Sequence, residues 1–165
     1  MRKIDKAVLN FLHKITNWTY KKLSLNNYGL ATIFSVMAAA ASVFIASMAI
    51  QLASTDKNPR VAQMRTSASL FAGLFFIGLA FATLYFQKGI AEFLSRKYDL
   101  DNTKAIFGGL AIFFRWYFIV MYPVSILLGN KWWGMLDTLL LGIALMFLSC
   151  EPPKMEVRMA KIFRE

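Results

Sequence analysis

Two ionisable side chains interrupt runs that are otherwise apolar, and they are the first candidates for chemistry. Arg115 lies within Ala105 to Leu128, and Asp137 lies within Trp132 to Cys150. A charge placed in hydrocarbon costs about 3 kcal/mol on insertion scales, so such a group marks a polar site or is relieved locally. The polar-site reading offers an ion, a proton, a lipid headgroup or a partner helix as the occupant. The tight turn LGNK between the two runs makes them an antiparallel hairpin. Counting outward from that turn leaves Arg115 and Asp137 about 10 Å apart along the axis. Their side chains also tilt in opposite directions, each toward its own helix N-terminus. A direct Arg115–Asp137 bridge is therefore disfavoured. Asp137 is expected near the outer interface beside Trp133 and Gly134. Arg115 is expected to reach headgroups along its aliphatic stem, or to meet backbone carbonyls or the rings of Phe118 and Tyr122.

No other constellation points to catalysis. The phosphate-binding pattern GxxxxGK[ST] is absent, as are HExxH, CxxC and GxSxG. Glu92, Asp99 and Asp101 belong to a hydrated connection and share no apolar pocket. A single cysteine, Cys150, excludes an intrachain disulfide framework and a cysteine-rich zinc site. One histidine, His13, leaves little for a metal centre or a catalytic triad. The sequence therefore predicts no catalytic residue, no cofactor-binding residue and no metal ligand, and the chain is not expected to be an enzyme. Cys150 reads as a small core residue in preference to a palmitoylation site.

The elements that carry Arg115 and Asp137 follow from composition. The chain has 165 residues, of which 58% are hydrophobic, 15% aromatic and only 17% charged. Soluble domains average roughly 45–50% apolar and about 25% charged. Four stretches meet the need for about 20 apolar residues per membrane-crossing helix. They are residues 29–53, 68–86, 105–128 and 132–150. Backbone polar groups in hydrocarbon must be satisfied within the segment, which makes each run a helix. The expected fold is all-α: an integral membrane four-helix, four-span bundle preceded by an amphipathic interfacial helix. Its parts are an amphipathic segment over residues 1–28, a transmembrane domain over 29–150 and a short basic tail over 151–165. The connection 87–104 reads as a juxtamembrane helix plus turn, and Pro123 is expected to kink span three.

Charge sets the expected orientation. Of 19 Lys and Arg residues, fourteen fall in the two tails and the 87–104 connection, and four in the other two connections. The positive-inside rule then places both termini in the cytoplasm, in a membrane of the bacterial inner type. The net charge of +10 is spread along the membrane-flanking segments. It suits anionic lipid headgroups and forms no nucleic-acid-binding module. Trp18, Trp132 and Trp133 are candidate interfacial anchors. In residues 1–25, Ile4, Val8, Phe11, Ile15 and Trp18 form an apolar stripe with Lys3, Lys6, Lys14 and Lys21 largely off it. That stripe is expected on the membrane surface, under the chain's own bundle or on a partner.

Small residues supply the packing signal. Ala38, Ser42, Ala46, Ala49 and Ala53 share one face of span one, and Ser69/Gly73 and Gly78/Ala82 repeat small-xxx-small spacing in span two. Such faces let helices approach closely where water is absent. They suit packing within the bundle, a homo-oligomer or a membrane-protein partner. The expected role is a non-catalytic structural, assembly or accessory component of a membrane complex. The alternative is a homo-oligomeric pore, holin-like permeabiliser or small transporter that uses Arg115 and Asp137.

Overall fold

The computed structural model describes residues 2–95, 102–128 and 131–150. All elements among them are α-helices: α1 (Arg2–Leu23), α2 (Asn27–Ser54), α3 (Pro59–Tyr85), α4 (Gln87–Ser95), α5 (Asn102–Leu127) and α6 (Leu136–Leu148). The expected turn at 129–130 and the basic tail 151–165 lie outside the described residues, as does the link 96–101 between α4 and α5. Two helices, α2 and α3, are long and apolar enough to cross a membrane. At 28 and 27 residues each runs about 40 Å, more than a hydrocarbon core of roughly 30 Å. Apolar helical segments at Ile112–Leu127 and Leu136–Leu148 are shorter than that test requires. This architecture is compatible with a helical membrane bundle.

Element boundaries follow local chemistry. Asn26 caps α2 by accepting a hydrogen bond from the Gly29 N–H at 2.8 Å. Helix α3 begins nine residues before the apolar run of span two. Asn58 accepts from the Arg60 N–H at 3.1 Å and Pro59 occupies the first turn, so polar residues Arg60, Gln63 and Arg65 become helical. An exposed Arg65–Asp56 ion pair at 2.9 Å closes the α2–α3 turn. Helix α4 forms where a juxtamembrane helix was expected, and α5 continues through Pro123. Span four is only partly helical, because residues 132–135 form turns before α6 starts.

The core is built around α6. Its residues Leu140, Leu141, Gly142, Ala144 and Leu145–Leu148 are buried on every side, as befits a helix apolar all round. One cluster joins Leu30 and Ala31 of α2, Ala91 of α4 and Leu145, Phe147 and Leu148 of α6. A second joins Ala38 to Leu140 and Leu141. Helix α5 packs tightly on Gly142, where an added Cβ would lie 2.8 Å from Ile119 Cγ1 and 3.1 Å from Phe118 Cβ. Only a glycine permits that approach, and the small-residue reading of the sequence passed it over. The α6 end is tied to the α2 start by Asn27 Nδ2, which donates to the Cys150 carbonyl at 3.1 Å. Helix α3 packs mainly on α2 and lies at the edge of the bundle.

Candidate functional site

Helix α1 meets the bundle through a face that its hydrophobic pattern does not announce. Asp5, Thr16 and Thr19 are buried, and Cys150 Sγ lies 3.9 Å from the Leu9 carbonyl. Positions 5, 9, 12, 16 and 19 fall on one side at helical spacing. The apolar stripe is turned largely outward: Ile4, Phe11 and Trp18 are exposed, while Val8 and Ile15 are half-buried. Packing on a partly polar surface corrects the idea that the stripe itself seats α1 under the bundle. The buried face carries one acid that finds its partners across the contact, two threonines, and Leu12 and Ile15 packed against the core. Thr16 and Thr19 donate to backbone carbonyls within α1 at about 3 Å.

That acid answers Arg115. The guanidinium donates to Asp5 Oδ2 at 2.6 Å, and the neighbouring Trp116 Nε1 donates to Oδ1 at 2.9 Å. Both charged side chains are only 4% exposed. The pair puts an acid from the N-terminal helix in place of the partners expected for Arg115, which were headgroups, backbone carbonyls or the rings of Phe118 and Tyr122, and agrees with the absence of a direct bridge to Asp137. Sequence reasoning missed Asp5 because it stands among lysines on a helix read for its apolar stripe. A signal existed: it is the only acidic residue before Asp56.

Asp137 occupies a different place. It opens α6 and is buried, with Oδ1 accepting from the Thr138 N–H at 2.7 Å and Oδ2 lying 3.0 Å from Ser42 Oγ of α2. It is buried where hydration was expected. Among the described residues no cation lies within ion-pair distance. Asp137 lines a partly open cavity of about 220 Å³ between α2, α3 and the α6 start. Its walls include Ser42, Ala46 and Ala49 from the predicted small face of α2, and Ser69 and Gly73 from α3. Gly73 is needed there, since an added Cβ would come within 3.0 Å of the Ala46 Cβ. Ala38 and Ala53, from the same predicted face, are buried.

The second small pair behaves otherwise. Gly78 is exposed, with nothing within 4 Å of where a Cβ would stand, and Ala82 is half-buried. Neither this glycine nor its exposed neighbours Phe71, Leu74, Phe75 and Phe81 is covered by the bundle. Of the candidate anchors, Trp18 and Trp132 are exposed, whereas Trp133 is half-buried. Its ring packs edge-on to Phe44 at 6.4 Å and lies under Lys131 Nζ at 5.6 Å. Cys150 is buried. Among the described residues no group of three or more His, Cys, Asp or Glu side chains is placed to hold a metal ion.

The arrangement thus comprises a buried ion pair that fastens α1, a separate acid-lined cavity and an outward glycine notch on an apolar helix. No known protein family matches the chain, and neither does any curated protein or solved structure.

Proposed function

We propose that the chain is a small four-span membrane protein, a non-catalytic assembly or accessory component that binds a partner membrane protein through helix–helix contacts. The observation that carries this reading is the Gly78 notch. Glycine inside a helix costs roughly 0.5–1 kcal/mol relative to alanine, and nothing among the described residues needs the space at Gly78. A helix from another protein does need it, because small-xxx-small positions let backbones meet in lipid. Gly78 and Ala82 have that spacing, and the aromatic side chains around them offer contact area. The pore reading draws less support. Arg115 is neutralised by Asp5 and Asp137 lines its own cavity, so the two charges do not lie along one path.

In this reading the tails and α4 lie in the cytoplasm and the Asp56–Arg65 turn lies across the bacterial inner membrane. The Lys and Arg bias supports the orientation. Helix α1 lies at the cytoplasmic headgroups, with Ile4, Phe11 and Trp18 entering the bilayer and lysines facing anionic lipid. The test is affinity capture of the tagged full chain in mild detergent. A foreign membrane protein should return in stoichiometric amount, and Gly78→Leu should reduce its recovery at least tenfold without lowering the unfolding midpoint. Recovery of the chain alone in several detergents refutes the reading.

A further inference from the structure

The cavity beside Asp137 carries more acceptors than donors. Ser69 donates its hydroxyl proton to the Arg65 carbonyl at 2.8 Å, which leaves its Oγ lone pairs for the cavity. Ser42 has one hydroxyl proton and two acceptors in reach, the Ala38 carbonyl at 2.9 Å and Asp137 Oδ2 at 3.0 Å. One of those two links therefore lacks a proton when Asp137 is ionised. Asp137 is 5% exposed and, among the described residues, has no cation partner. Buried charges are ordinarily paired or ligated. The Thr138 N–H at 2.7 Å, the Thr138 hydroxyl at 3.3 Å and the start of α6 ease the negative charge but do not cancel it.

We propose that this cavity binds an ammonium group carrying a small apolar body. The ammonium supplies both the missing donors and the missing positive charge. A bare metal ion suits the site less well, since hard cations take about six or more oxygen ligands and most of the lining is apolar. Ile45, Ala46 and Phe76 provide a surface for a short hydrocarbon or ring. A cavity of about 150 Å³ accommodates benzene, so about 220 Å³ has room for a benzylamine-sized molecule. The same ammonium chemistry is offered by a soluble amine and by a phosphatidylethanolamine headgroup. This site is independent of the Gly78 notch and of the partner it would bind.

The test uses the purified full chain in phosphatidylcholine nanodiscs, titrated calorimetrically with benzylammonium chloride. Saturable 1:1 binding is expected, with neutral benzyl alcohol at least tenfold weaker. Asp137→Asn should weaken benzylammonium at least tenfold. Ala72→Leu, placed on the exposed cavity wall, should also block it while leaving Asp137 in place and the unfolding midpoint unchanged. If exchanging phosphatidylcholine for phosphatidylethanolamine weakens benzylammonium at least threefold in the wild type, the lipid headgroup is the source. An unchanged affinity assigns the site to a soluble amine. Absence of saturable binding in phosphatidylcholine overturns the proposal. So does equal binding of benzyl alcohol, or undiminished binding to folded Asp137→Asn or Ala72→Leu.

Discussion

Replacing Asp5 by alanine removes the carboxylate to which the buried Arg115 guanidinium donates at 2.6 Å, and with it the acceptor for Trp116 Nε1 at 2.9 Å. Deleting one member of a buried ion pair costs about 3–5 kcal/mol, because the remaining charge loses its compensation. The lower figure alone moves the balance between docked and undocked α1 by on the order of 100-fold. The chain carries its own reporter of that balance. Cys150, the single cysteine, is buried and lies against the Leu9 carbonyl of α1. Undocking α1 uncovers it, so maleimide labelling under native conditions follows the open population when reclosing is fast. Asp5→Ala and Arg115→Met should each accelerate labelling by on the order of 100-fold. The combination Asp5→Leu with Arg115→Met should return the rate to within about tenfold of the wild type, since an apolar pair of similar volume can substitute for a buried ion pair. Equal labelling of Asp5→Ala and wild type would refute the fastening role. A double variant as fast as the single ones would show that the charges themselves, beyond filling space, are required.

The remaining predictions concern helix contacts and caps. Gly142→Ala should lower stability by about 1–3 kcal/mol through overpacking against Ile119 and Phe118. Gly78→Ala, with open space around it, should raise stability by about 0.5 kcal/mol through helix propensity; denaturant titration in detergent compares the two. Asn26→Ala should cost about 1 kcal/mol by removing the acceptor for the Gly29 N–H. Its effect should appear as faster amide exchange in the first turn of α2.

The helical class and the long apolar elements were legible because hydrocarbon-length runs admit few other structures. Helix α2 starts two residues before the apolar boundary, at the Asn26 cap. The start of α3 was not legible from hydropathy, since its first turns carry Arg60, Gln63 and Arg65; the Asn58–Pro59 signal governs instead. The small face of α2 was visible, and Ala38, Ser42 and Ala53 are buried as a shared face requires. What the pattern could not supply was the choice of partner. Ser69 and Gly73 turn toward α2 while Gly78 turns away, although both pairs have the same spacing. Asp5 was hidden for a related reason: periodicity ranks faces by apolar content, and α1 docks through a face that carries its acid. The Asp137 cavity arises only when three separated segments converge.

Helix α6 follows the other described helices in chain order yet occupies the centre of the packing. During synthesis the earlier helices therefore leave the ribosome before the element they enclose. Until α6 arrives, the faces of α2, α4 and α5 that will receive it lack the neighbour that covers them. A stop codon between α5 and α6 would leave the five preceding helices intact in sequence and deprive them of their common neighbour. Its burial comes after theirs in time, and the core closes only once this segment has been made.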